Sequence, residues 1–65
     1  MNDISIRKVG NAGRITLQRP QSLNAMTYEM ACRIEAALEG WTNEPAVKLI
    51  IFDALGDRAF CSGGD

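Results

Sequence analysis

The run Val47-Lys48-Leu49-Ile50-Ile51-Phe52 limits the possible folds of this chain more than any other feature. It is β-branched and nearly all apolar, the character of a strand covered on both faces. One amphipathic helix is available to cover it. Met30, Ile34, Ala37, Leu38 and Trp41 recur at i, i+4, i+7, i+8 and i+11, which places them on a single helical face. One helix covers one face of a sheet, so the other face needs a cover from outside these residues. The chain has 65 residues, and a domain of that size buries only roughly 60% of its unfolded surface. It therefore reads as one segment of a fold, completed by a partner or by further chain, with no internal boundary across residues 1–65.

The remaining elements follow from local chemistry. Ile4, Ile6 and Val9 alternate imperfectly in a first strand, and Arg14-Ile15-Thr16-Leu17-Gln18 alternates in a second. Gly10-Asn11-Ala12-Gly13 between them is turn chemistry, which predicts a β-hairpin. Pro20 closes the second strand and biases Arg19 to an extended backbone. Residues 21–25 then form a loop. Thr27 is placed to cap the helix with its hydroxyl, Glu29 suits the positive end of the helix dipole, and Pro45 stops the helix. Arg33, Glu35 and Glu39 fall largely off the apolar stripe and read as solvated. Met30 and Trp41 are assigned to packing. The order hairpin, helix, buried strand defines an α/β segment in which the helix is a crossover packed on the sheet.

Composition excludes several functions. The longest uninterrupted apolar run, Leu49–Phe52, is far short of the ~20 residues of a membrane span. Asn2 and Asp3 stand where a signal peptide would be basic, so the expected compartment is the cytoplasm. A net charge of −1 argues against a nucleic-acid partner held through its phosphates. The chain has no histidine, so it contains no histidine metal ligand and no Ser-His-Asp or Cys-His pair. Cys32 and Cys61 lack zinc spacing and are too few for a disulfide scaffold; they read as buried or half-buried reduced thiols. The eight carboxylates are scattered singly and read as solvated surface.

One stretch carries chemistry. Ala54-Leu55-Gly56-Asp57 reads as a turn, Arg58-Ala59-Phe60-Cys61 as a return toward the sheet, and Ser62-Gly63-Gly64-Asp65 follows. Adjacent glycines after a strand let a ligand approach the backbone closely and leave amides free to donate. If a helix begins just beyond Asp65, those amides lie at its positive end. That is what an oxyanion hole requires: rigid donors aimed at a carbonyl oxygen that gains charge. Taken alone, the same four residues serve equally as a turn or a tail. Ser62 has no base to activate it. Cys61 beside Phe60 reads as buried, and burial raises a thiol pKa and makes it inert.

Taken together, Gly13-Arg14-Ile15-Thr16-Leu17-Gln18-Arg19-Pro20, then Leu23-Asn24-Ala25-Met26, then a helix, then Arg58 through Asp65 resemble the N-terminal part of the crotonase (enoyl-CoA hydratase/isomerase) superfamily. The resemblance runs from about Ile4 to Asp65. It implies a spiral of β-β-α units, several times longer than this chain, acting on acyl-coenzyme A thioesters with no cofactor beyond coenzyme A as part of the substrate. By this resemblance the N–H of Gly64 is one of two oxyanion donors, and the second lies further along the family's sequence. Gly63 and Asp65 belong to the same substrate loop. Backbone groups at Ser62 meet the adenine, and Ser22, Leu23 and Ala25 line the same pocket. Asn24 organises that loop through side-chain bonds to backbone. Arg58 is within reach of a coenzyme A phosphate and serves equally as a solvated arginine.

Two positions depart from the family pattern. Gln21 stands where many members carry a phosphate-binding lysine, and Gln18 where they carry asparagine. The acid/base carboxylates of the family lie beyond Asp65. The wording Phe-Cys-Ser-Gly-Gly-Asp and the helix exit from Leu38 to Val47 are closest to the 3-hydroxyisobutyryl-CoA hydrolase-like branch. Enoyl-CoA hydratases, and naphthoate synthases after them, are the alternatives within the superfamily. A non-catalytic interaction module is the alternative outside it. The implied partners are an acyl-CoA substrate, the rest of the same enzyme chain and, by analogy, copies forming a trimer or hexamer; neither nucleic acid nor membrane is among them.

Overall fold

The computed structural model describes residues 3–56, 60, 61 and 63. Strands β1 (Ile4–Val9) and β2 (Ala12–Leu17) form the hairpin, α1 (Tyr28–Thr42) follows, and β3 (Leu49–Ala54) completes a sheet of order β1-β2-β3. β1 and β2 are antiparallel, pairing Ile4 with Leu17 and Val9 with Ala12. β2 and β3 are parallel, pairing Ala12 with Leu49 and Leu17 with Ala54. A parallel pair needs a crossover between its strands, and α1 is that crossover, as expected.

The hairpin turn is tighter than its glycines suggest. Only Gly10 and Asn11 turn the chain, while Ala12 and Gly13 are already in β2. Gly10 has φ +60°, the left-handed conformation that a two-residue hairpin favours. Gly13 is needed in the strand for a different reason, close packing. A Cβ built there would lie 2.5 Å from Cε3 of Trp41, so the indole rests directly on the backbone of β2.

Side chains alternate across the sheet. Ile4, Ile15 and Leu17 point to the helix side and form the buried core with Met30, against which Ile34, Trp41 and Cys61 pack. The helix starts as anticipated, with the Met30 amide donating to Thr27 Oγ1 at 3.1 Å. The Thr27 amide donates in turn to Met30 Sδ at 3.5 Å, so a thioether completes the reciprocal cap usually closed by Glu or Gln.

Strand β3 departs from expectation in two ways. It begins at Leu49, two residues later than the apolar run, and extends through Asp53 to Ala54, the first residue of the expected turn. Val47 is still in a turn, its amide donating to Glu44 O, and the Lys48 amide docks on Asn11 O at 2.7 Å before pairing starts. The strand is also uncovered, with Leu49, Ile50, Ile51 and Phe52 each 40–46% exposed. The single helix leaves the opposite face bare, as argued from the sequence, and covers the near face only partly. The reason is that α1 centres on β1 and β2, and β3 lies at the edge of its footprint. An open apolar groove of about 480 Å³ results, lined by Met26, Ile34, Leu38 and Phe52, with Glu35 and Glu39 at its rim.

The Trp41 contact gives a direct test. Gly13→Ala in the intact protein should cost about 1–3 kcal/mol, the usual range for overpacking, measured by denaturant unfolding. In a Trp41→Ala background the same change should cost markedly less. Equal costs in both backgrounds would mean that the ring does not set the requirement for glycine.

Candidate functional site

Because β2 and β3 are parallel, both leave the sheet at the same end. Ligands of α/β folds collect outside the carboxyl ends of parallel strands, and two loops meet there. The first runs from Gln18 to Met26. Pro20–Ser22 form one turn of 3-10 helix, with Leu23 (φ 53°) and Asn24 (φ 57°) left-handed after it. The second leaves β3 at Leu55 and passes through Phe60, Cys61 and Gly63.

Asn24 joins them. Its side chain is fully buried; Oδ1 accepts from the Arg19 amide at 2.8 Å and Nδ2 donates to the Leu55 carbonyl at 2.8 Å. Asparagine suits this position on two counts, since it tolerates the left-handed backbone and carries both a donor and an acceptor. The organising role implied for Asn24 is visible in these bonds. Arg19 closes the first loop from the other side, its guanidinium donating to Ala25 O at 2.8 Å. The turn after β3 is held equally closely: the Leu55 amide donates to Leu17 O at 2.9 Å, and a Cβ on Gly56 would lie 2.9 Å from Cβ of Pro20. Beyond Leu55, the Met26 amide donates to Gly63 O at 2.8 Å. The Leu-Asn-Ala-Met and Cys-Ser-Gly-Gly blocks, distant in the chain, are thus in direct contact.

Of the residues singled out from the sequence, Ser22, Leu23, Ala25 and Gly63 lie in this cluster. Ser22, Leu23 and Ala25 are half-buried and Gly63 is exposed with φ +112°. Ser62, Gly64, Asp65 and Arg58 lie outside the described residues. Both thiols are free, but Cys32 is exposed on α1 instead of sheltered, because it falls off the apolar stripe. Phe60 is also exposed, at 54%, so it does not bury Cys61. That thiol is half-buried through packing on the core, and its Sγ donates to Gly63 O at 3.8 Å.

The other sheet face carries a polar network that the scattered carboxylates did not suggest. Arg14 donates to Asp53 Oδ2, and Thr16 Oγ1 donates to Asp53 Oδ1 at 2.5 Å. Arg7 donates to both Thr16 Oγ1 and Ser5 Oγ at 3.0 Å. The register explains it: Ser5 pairs with Thr16, and Thr16 with Asp53. Period-2 alternation would have found the row once β3 was started at Leu49. The hydrogen bond from Arg14, and after it that from Thr16, holds the Asp53 carboxyl below its ordinary 3.8. This carboxylate is committed to a guanidinium and a hydroxyl on the sheet, which suits it to structure and not to proton transfer. Among the described residues, no three His, Cys, Asp or Glu side chains gather where a metal could bind, and no helix is long and apolar enough to cross a membrane.

A parallel β-α-β crossover with two loops locked together at the carboxyl ends of its strands defines an α/β unit. The chain belongs to the enoyl-CoA hydratase/isomerase family, whose model matches residues 12–65, and so to the crotonase superfamily. It is 58% identical to an enoyl-CoA hydratase from Rhodobacter sphaeroides 2.4.1, with a TM-score of 0.96 over 98% of this chain and 19% of that one. A carnitinyl-CoA dehydratase from Mycobacterium thermoresistibile is 31% identical, also at a TM-score of 0.96, over 100% of this chain and 19% of its own. The mitochondrial 3-hydroxyisobutyryl-CoA hydrolase of Gallus gallus is 43% identical over 63 residues, 97% of this chain and 16% of the hydrolase. The chain thus spans about one sixth of the curated relatives it matches.

The Asp53 network sets a pH dependence. A carboxyl whose folded pKa is depressed adds stability above its unfolded pKa, and that stability disappears as pH falls through the folded value. The stability difference between the wild type and Asp53→Asn should be constant above about pH 5 and shrink as pH falls below the ordinary value of 3.8. Acid titration of both proteins by circular dichroism checks this; a difference independent of pH would exclude Asp53 as its source.

Proposed function

We propose that this chain supplies one oxyanion donor and part of the coenzyme A-binding surface of an acyl-CoA thioester-transforming enzyme, with a 3-hydroxyisobutyryl-CoA hydrolase-like reaction. The observation that carries the reading is the Met26–Gly63 hydrogen bond, which joins the two motif blocks at the carboxyl ends of β2 and β3. In this reading residues 1–65 are the first part of a longer crotonase domain. The loop at Ser22, Leu23 and Ala25 meets the coenzyme A moiety together with Ser62, and residues 63–65 border the thioester. The N–H of Gly64 donates to the thioester oxygen as it gains charge in an enolate or tetrahedral intermediate. No proton-transfer group is assigned here: the chain has no histidine, and the Asp53 carboxylate is bound by Arg14 and Thr16. Acid and base come from the rest of the enzyme, which needs no resident cofactor because coenzyme A arrives on the substrate.

The identity to the hydrolases supports the hydrolase branch, and the higher identity to the Rhodobacter sphaeroides protein favours hydration as the second reading. Assembly as a trimer or hexamer is part of the proposal by analogy alone. The similar 3-hydroxyisobutyryl-CoA hydrolases are mitochondrial, which supports a mitochondrial alternative to the cytoplasm.

Steady-state assay of the full-length enzyme separates these readings. Thiol release from 3-hydroxyisobutyryl-CoA is the expected result. Hydration of an enoyl-CoA without thiol release rejects the hydrolase branch, and neither activity supports the non-catalytic module. Gly64→Pro removes the donor N–H and should lower turnover on the order of 10²–10³-fold; turnover retained within a few-fold refutes the oxyanion assignment.

A further inference from the structure

We propose that Asn24 is a positioning residue for catalysis, acting through the Met26 amide on the peptide that follows Gly63. The inference rests on the oxyanion reading above and adds the means by which the donor is aimed. A peptide unit is planar and trans, so its C=O and the next residue's N–H lie on opposite sides of one rigid plane. The carbonyl of Gly63 and the N–H assigned as oxyanion donor belong to the same peptide unit. Holding that carbonyl therefore sets the direction of the donor, although Gly64 itself lies outside the described residues.

Something has to hold it, because Gly63 alone restrains little. It is exposed, has φ +112°, and nothing would stand within 4 Å of a Cβ there. The carbonyl is instead held by the Met26 amide at 2.8 Å, with a weaker contact from Cys61 Sγ. A donor on the carbonyl side also polarises the peptide and strengthens its N–H as a donor on the other side.

The Met26 amide is only as well placed as its loop, and Asn24 fixes that loop. Its side chain bonds the two ends of the cluster, the Arg19 amide before the loop and the Leu55 carbonyl after β3. Its own amide donates to Arg19 O at 2.7 Å. The chain of restraint runs from the sheet end at Leu55 through Asn24 to Met26, and from Met26 to the Gly63 carbonyl. An oxyanion hole depends on donors fixed before charge develops, and small misplacements far from the reacting atoms are costly.

The test uses the full-length enzyme. Asn24→Asp keeps the acceptor facing Arg19 but replaces the donor to Leu55 O with a carboxylate oxygen. If Asn24 positions the donor, kcat falls at least about 10-fold while KM for the acyl-CoA stays within about 3-fold, the pattern of an interaction made only in the transition state. A purely structural asparagine would lower Tm and leave the kcat of the folded enzyme within about 2-fold, which overturns the proposal. A second variant replaces the amide of residue 26 with an ester, built by joining a synthetic segment ending at Phe60 to one beginning with Cys61. It removes the N–H facing Gly63 and should reproduce the loss in kcat; unchanged kcat likewise overturns the proposal. If Asn24→Asp does not fold, the ester variant decides alone. Absence of acyl-CoA turnover in the wild type would instead overturn the functional reading, so the two failures are distinguishable.

Discussion

The parallel pairing of β2 with β3 is the constraint from which the rest of the structure follows. Parallel neighbours cannot be joined by a tight turn, so the chain must cross the sheet, and α1 with its Thr27 cap is the element that crosses. The register of Leu17 with Ala54 then sends both strands out at one end, where their loops have to share space. The same register sorts the side chains. Ile15 and Phe52 pair on the helix side, and Thr16 and Asp53 on the other. Apolar packing and the Arg7–Thr16–Asp53–Arg14 network are thus two sides of a single alignment.

What was legible from the sequence was whatever depends on short range. The hairpin, the helix cap, the apolar stripe and the crossover were each predicted by residues within one or two turns of one another. The limits of β3 were not, because the apolar run starts at Val47 but pairing starts only at Leu49, after the Lys48 amide has docked on Asn11 O. The commitment of Asp53 was hidden by the same two-residue offset. The exposure of Cys32 was available in principle, since it lies off the stripe defined by Met30 and Ile34. The meeting of the two loops was not readable from local chemistry at all. The motif resemblance named both blocks and left their contact to the structure, because a bond between Met26 and Gly63 depends on the sheet register and has no composition signature.

The buried Asn24 shows why a polar residue is retained at a place where an apolar one would fill the space. Two backbone groups, the Arg19 N–H and the Leu55 C=O, face the same buried point from different elements. Leaving either without a partner costs about 1–3 kcal/mol, and no apolar side chain serves them. Asparagine satisfies one donor and one acceptor at once and accepts φ 57°. Aspartate has no donor for the Leu55 carbonyl. Stability and loop placement are therefore met by one side chain.

The distribution of polar chemistry across the 65 residues separates two tasks. Every described charge–charge contact is on the sheet or at the helix exit, where Lys8 meets Glu44 at 3.4 Å. The loop cluster, by contrast, is built almost wholly from backbone groups, closed by the uncharged Asn24 and by an Arg19 that binds a carbonyl. In the proposed function a site of this kind would bind through fixed dipoles. Dipoles in that role favour a developing oxyanion without themselves titrating. Under the same proposal, acid and base come from the rest of the enzyme. The uncovered apolar side chains of β3 show that these residues also lack the packing that would bury their own sheet. Under the proposed function, the unit's core and chemistry call for the same complement of further chain. The relatives it matches, about six times its length, have the chain to supply both.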